Sequence, residues 1–309
     1  MSVQKSAFLG LLGVSVLWGC NYVASAYLLG GFSPIFLSFA RLCMTTLFLL
    51  ATAFQIRGLR RPTNREWLLL AGVGVFGTLL NQIFYFTGLR HSTAANASLI
   101  IGLTPVATIL LERMIYKVTF TTARLAGVIL GLTGIVVIVG TGGGLHASPG
   151  DLNLIVAMIA LSVSIIFVRG LAKSMSSFAV TIFSTVLGAV LMAPAAGGEA
   201  LLGQSEVSHS LVMWGILAAA GIIAQGMASF WWNRGVAVLG AGTAAMFMNV
   251  PPFIAILLGH FLLHDPIQGS QIIGGVLILA GVFVANQSAL FTHRRLPPDH
   301  RRCAPATDS

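Results

Sequence analysis

The sequence predicts an all-α membrane protein of ten transmembrane helices, built as two five-helix repeats of inverted topology. Three observations carry this: a composition too apolar for a water-facing surface, ten separate apolar runs, and self-similarity at a fixed offset. Of 309 residues, 56% are hydrophobic, 8% are charged and 35 are glycine. Soluble domains hold about 25% charged residues, so this composition belongs in a bilayer.

The apolar runs fall near 7–28, 34–55, 66–88, 93–113, 123–141, 151–171, 178–196, 211–232, 240–263 and 270–291. Each approaches the roughly 20 residues that cross a hydrocarbon core of about 30 Å. Helix is the expected form, because lipid offers no partner to an unpaired backbone group. The runs are continuous, unlike the short alternating strands of a barrel. The first run has a leader-like flank, with Lys5 ahead of it and "ASA" at 24–26, but it is long for a cleaved signal and is expected to be kept. Breaks such as "GGFSP" and "GTGGGLHASPG" are too short for a soluble domain.

Charge sets the orientation. If the N-terminus is cytoplasmic, Lys5, the cluster Arg57, Arg60, Arg61 and Arg65, then Arg113, Lys117 and Arg124, Arg169 and Lys173, Arg234, and the tail arginines all fall inside. Arg90 alone falls outside, and Arg41 lies within a span. This positive-inside asymmetry puts both termini in the cytoplasm. The net charge of +9 is therefore topological and does not call for nucleic acid. The basic segment 292–309 is expected as a disordered cytoplasmic tail that touches anionic lipid headgroups.

Displaced by 147 residues, 85–140 lies over 232–287 without a gap. Pro105 then meets Pro252, Tyr85 meets Trp232, and Gly88, Gly127 and Gly134 meet Gly235, Gly274 and Gly281. A displacement of 143 sets "FSPIF" over "MSSFA". The units are 1–141 and 142–291. Because five is odd, the second must enter the membrane upside down, the construction of many carriers whose substrate site lies between the halves near the midplane.

Here the residues resemble a known family. "LWGCNYV" at 17–23, "SP…R" at 33–41, "GLRHSTAANASLIIGLTPV" at 88–106 and "GVILGLTGIVVI" look like an EamA domain. "GAGTAAMFMNVPPFIAILLG" and "GGVLILAGVFV" look like a second. Two such domains resemble the drug/metabolite transporter superfamily over nearly the whole chain. The resemblance implies a carrier of the bacterial cytoplasmic membrane, commonly an exporter of amino acids or other small metabolites. Two features depart from it. The glycine–glutamate pair frequent at the end of the fourth span is replaced by Lys117 and Val118, and by His264 and Asp265 in the second half. Glu112 also stands where the other repeat has Gly259.

Several polar residues sit where lipid-facing helices do not tolerate them. Arg41 lies seven residues past Pro34, about 10 Å deep by helix rise, at a cost of several kcal/mol unless it faces a partner or water. It either pairs with a substrate carboxylate or binds helix carbonyls or an amide side chain. Thr78, Gln82 and Tyr85 share one helix face, as do their repeat partners Gln225, Ser229 and Trp232. Two such stripes could converge on a central cavity, with Asn81 widening the first, or simply bond neighbouring helices. Asn21 lines the cavity or bonds a neighbour. Asn249 could use carbonyls freed by Pro251 and Pro252. Pro105 and Pro252 are expected hinges, since proline removes a donor and crowds the carbonyl four residues back. Glu112 and His260 are the gate or coupling candidates, Glu112 alternatively pairing at the inner interface and His260 alternatively structural.

No cofactor or metal is implied. Cys20, Cys43 and Cys303 have no ligand spacing. "GVGVFG" at 72–77 matches a dinucleotide fingerprint but lies inside an apolar span, where its glycines serve helix packing. No ATP-binding motif occurs, which leaves an ion gradient, with the proton as first candidate, or passive exchange. The expected partners are a small-molecule substrate and membrane lipid. Uptake, or export of cationic drugs or nucleoside-like compounds, is the alternative among carriers. A membrane-embedded enzyme lacks a convergent acid, base and nucleophile set, and a channel accords poorly with the inverted repeat.

Overall fold

The computed structural model describes residues 3–55, 60–116, 122–140, 148–172, 174–239 and 247–293. The expected unit boundary at 141/142, the pair Lys117 and Val118, and the tail beyond residue 293 lie outside the described residues. Helical rods follow one another along the chain. They are α1 (Val3–Leu28), α2 (Pro34–Gln55), α3 (Asn64–Arg90), α4 (Ala94–Gly102 then Thr104–Tyr116) and α5 (Thr122–Gly140). The second half continues with α6 (Pro149–Leu171), α7 (Ser177–Leu201), α8 (Leu211–Ala219, Ala220–Met227 and Ala228–Leu239 end to end), α9 (Val250–Leu263) and α10 (Gly269–His293). Seven of them, α1 to α4 and α6 to α8, contain spans long and apolar enough to cross a membrane. The others hold the shorter apolar helices Leu125–Ile138, Val250–Leu263 and Gly269–Val284. The protein is a multi-pass helical membrane protein, with seven clear spans among the described residues where the sequence led us to expect ten.

Local chemistry explains where the rods begin. Thr63 caps α3 in a reciprocal box with Glu66, Thr93 accepts from Asn96 N ahead of α4, and Ser148 followed by Pro149 starts α6. Large apolar side chains such as Leu47, Leu68 and Phe261 point outward, while Ser15, Ser25, Ser38 and Ser162 are buried. Two of these hydroxyls are satisfied within their own helix: Ser15 Oγ donates to Leu11 O at 2.9 Å and Ser162 Oγ to Met158 O at 2.8 Å. That distribution suits a solvent of hydrocarbon, in which each orphaned polar group is costly.

The most extensive pairings come in exchange-related sets. α1 packs on α8 and α9 as α6 packs on α3 and α4; α2 meets α8 as α7 meets α3; α5 lies along α10. Glycines set the last contact. A Cβ on Gly134 would stand 2.7 Å from Gly274 O, and one on Gly281 would stand 2.6 Å from Gly127 O. Since Gly127 and Gly134 are the repeat partners of Gly274 and Gly281, these are one contact made twice. The backbones touch because no side chain intervenes.

The sequence led us to expect plain α-helices at α3 and α8. Both carry π-helical turns instead, Val73–Leu80 and Ala220–Met227, at the same offset of 147 residues. A π turn displaces the hydrogen-bond ladder by one residue and re-aims side chains and carbonyls, often beside functional sites. In α8 its carbonyls are used across helices: Trp18 Nε1 donates to Ala224 O at 3.1 Å and Thr45 Oγ1 to Gly221 O at 2.9 Å.

Candidate functional site

A cavity of about 400 Å³ lies between the two halves. The first half contributes Trp18, Asn21 and Tyr22 of α1, Arg41 of α2, Asn81, Gln82 and Tyr85 of α3, and Ser98, Ile101, Gly102, Thr104 and Pro105 of α4. The second half contributes Leu161 and Ile165 of α6, Ala224 and Gln225 of α8, and Met248, Pro251 and Pro252 at the start of α9. The break in α4 follows from Pro105, which cannot donate to Ile101 O. Thr104 Oγ1 takes that carbonyl at 2.5 Å, and the helix restarts at Thr104.

Arg41 is 4% exposed, and its charge meets no carboxylate among the described residues. Its Nη2 donates to Gln82 Oε1 at 2.8 Å and its Nη1 to Ser25 Oγ at 3.3 Å, while Cζ lies 4.6 Å from the centre of the Phe86 ring. These contacts orient the guanidinium and leave Nε buried without a partner. Asn21 Oδ1 and Gln225 Oε1, on the same cavity, are likewise buried without hydrogen bonds. An unsatisfied buried polar atom costs about 1–3 kcal/mol, and two further hydroxyls away from the cavity, Ser38 Oγ and Thr46 Oγ1, carry the same cost. Tyr22 and Tyr85 meet edge to face at 6.1 Å and close the aromatic side of the cavity.

The structure brings together Asn21, Arg41, Gln82, Tyr85 and Gln225, with Pro105 and Pro252 at the rim of the two helix starts. Thr78, Ser229, Trp232 and Asn249 do not line this cavity. The π turn directs Thr78 onto Gly188 of α7. Ser229 Oγ donates to Gln225 O at 2.6 Å, and Trp232 packs at 5.0 Å on Trp18, itself in the wall. Symmetric convergence of two polar stripes is thereby corrected: from the second stripe only Gln225 reaches the cavity. Asn249 is half-buried ahead of α9 and makes no capping bond. Pro252 differs from Pro105 in setting, because Pro251 and Pro252 occupy the first turn of α9, where the missing N–H costs nothing.

Glu112 and His260 lie elsewhere. Glu112 pairs with Arg169, so α4 of the first half is tied to the end of α6 in the second. His260 is exposed on α9, with Nδ1 2.9 Å from Asp265 O. Neither lines the cavity. Tyr22, Ser98, Thr104 and the apolar lining residues were missed in the sequence. The signal for Ser98 was present, since 98, 101, 102 and 105 share a helix face, but Leu161, Ile165 and Met248 resemble any lipid-facing residues.

Helical rods, a lipid-suited surface and a ligand-sized cavity between exchange-related halves define a membrane transporter rather than a soluble binding protein. The chain belongs to the EamA-like transporter family, whose model matches residues 5–140 and again 148–287. It is 26% identical to "Uncharacterized transporter YyaM" of Bacillus subtilis, covering 90% of this chain and 93% of that one. It is 24% identical to a "Probable terminal-alkyne amino-acid exporter" of Streptantibioticus cattleyicolor, covering 98% and 100%. A crystal structure with 24% identity superposes with a TM-score of 0.64, covering 94% of this chain and 98% of its own, and so shares the fold.

Proposed function

We propose that the protein is a secondary carrier that exports a small amphiphile with an anionic head, most simply an amino acid, across the bacterial cytoplasmic membrane. The carrying observation is the buried Arg41, oriented by Gln82, in the lining of a cavity to which no acidic residue contributes. A carboxylate would neutralise the arginine, and a neighbouring polar group of the substrate would reach Asn21 and Gln225. Leu161, Ile165 and Met248, also in the lining, suit an apolar remainder. The relative named as an amino-acid exporter supports this chemistry.

In this reading the rods make ten crossings, the second half inverted against the first, with both termini cytoplasmic. The two halves then rock about the cavity in alternating access. Glu112–Arg169 closes one end, because it joins the halves where the arginine-rich loops lie. Cationic drugs are the weaker reading: the aromatic wall of Trp18, Tyr22 and Tyr85 favours them, but the buried guanidinium repels them. Counterflow in proteoliposomes tests the proposal with labelled amino acids, cationic drugs and nucleosides, beside Arg41→Ala. Amino acids should exchange and lose at least tenfold in rate with the variant. Exchange of cations alone, or equal loss for every class, would overturn it.

A further inference from the structure

A second cavity of about 400 Å³ opens at the opposite loop end from the arginine-rich one, and the carrier reading makes no use of it. It lies where the end of α1, the α3–α4 turn and the end of α9 meet, with Leu29, Leu89 and Leu263 as its apolar part. Two opposite charges face the same space, Arg90 and Asp265, yet they form no ion pair with each other. Arg90 commits one nitrogen, Nη2, to Glu206 Oε2 at 3.0 Å.

His264 adopts φ 58°, ψ 26°, the left-handed conformation that commonly ends a helix. That turn folds the chain back on α9: Asp265 N donates to Gly259 O at 3.2 Å, and Asp265 O lies 2.9 Å from His260 Nδ1. The carboxylate stands over the last turn, Oδ2 3.5 Å from where a Cβ on Gly259 would be. A helix C-terminus is the negative end of the macrodipole and disfavours an anion. Burial pushes the carboxyl above the usual range in the same direction. Among the described residues its oxygens have neither hydrogen-bond nor ion-pair partner. The acid is only partly buried and lines the cavity, so a cation there could reach it. The wall beside it is rigid, since Ser92 Oγ donates to Asp151 Oδ1 at 2.5 Å and Thr93 Oγ1 accepts from Asn96 N at 3.1 Å.

We propose that this cavity is a second binding site, for the zwitterionic head of a small apolar α-amino acid, with its ammonium on Asp265 and its carboxylate on Arg90. The charges of such a head occupy the gap that Asp265 and Arg90 leave between them, and its side chain lies on Leu29, Leu89 and Leu263. The site shares its ligand chemistry with the central cavity but none of its residues, so the two readings fail separately.

Equilibrium binding of labelled L-leucine to the full chain in lipid nanodiscs tests it. The wild type should bind two per chain, Asp265→Asn one, Arg41→Ala one, and the double variant none. Leucine methyl ester, which lacks the carboxylate, and 4-methylpentanoate, which lacks the ammonium, should each bind the Arg41→Ala protein at least tenfold more weakly than leucine does. Size-exclusion profiles check folding, and Asp265→Ser and Arg90→Gln serve if Asp265→Asn fails to assemble. Unchanged stoichiometry in all correctly folded Asp265 and Arg90 variants overturns the second site. So does equal binding of the ester, which would mark a plain cation site. If instead Arg41→Ala changes nothing while Asp265→Asn abolishes binding, the central reading falls and the second site stands.

Discussion

The two halves share a backbone plan but not a chemistry. Each has a π turn at the corresponding place in its third helix, a helix start marked by proline at the cavity, and the same glycine contact in its fifth. Yet the first half brings Arg41, Gln82, Asn21 and two tyrosines to the cavity, whereas the second brings Leu161, Ile165, Met248 and one amide, Gln225. In the proposed carrier, symmetry supplies the moving parts, since matched halves can exchange roles. Recognition there falls mainly to the first half, which contributes most of the polar lining.

Arg41→Ala should strike this asymmetry hardest. It removes a charge-assisted contact worth about 1.5–3 kcal/mol, roughly 10–100-fold in exchange rate for a carboxylate substrate. Arg41→Lys keeps the charge but loses the fork that engages Gln82 and Ser25, so partial retention is expected in the same counterflow assay.

The shared plan is tested by Gly134→Ala and Gly281→Ala. Each drives a Cβ into facing backbone and should destabilise by about 1–3 kcal/mol. Thermal unfolding in detergent should show similar shifts for both, and a large effect from only one would break the equivalence of the halves. Trp18→Phe should cost about 0.5–1.5 kcal/mol by removing its bond to the Ala224 carbonyl. Exchange of a bulky substrate would change with it, because Trp18 also forms the cavity wall. Glu112→Gln should have the smallest effect on stability, about 0–1 kcal/mol, because its arginine partner is largely solvent-facing. A change in the sidedness of cysteine labelling in this variant would show that the pair restrains one end. An unaltered pattern would reduce it to a surface contact.

Much of the fold was legible because its causes are local or periodic. Apolar runs of spanning length, caps such as Thr63 with Glu66, and glycines repeating at a fixed offset are read directly from residue order. The site was legible where a residue is costly wherever it lies, as with Arg41. It was misread at Ser229 and Trp232, because equal spacing on a helix was assumed to mean equal direction in space. Both helices carry the same π turn, yet Gln82 and Tyr85 line the cavity while Ser229 bonds the Gln225 carbonyl and Trp232 packs on Trp18, so the neighbours of each helix decide.

By itself the sequence determined a polytopic helical chain, its duplicated halves, the helix starts, and the presence of an arginine that must find compensation in a bilayer. Those follow from hydropathy, from capping chemistry and from the price of a charge in hydrocarbon. Only the tertiary structure decided that Gln82 and Ser25 orient that arginine, that Glu112 pairs with Arg169 across the halves, and that the first half supplies most of the cavity's polar lining. These contacts join residues far apart in the chain, and their partners are chosen by helix rotation and crossing, which residue order constrains too weakly to reveal.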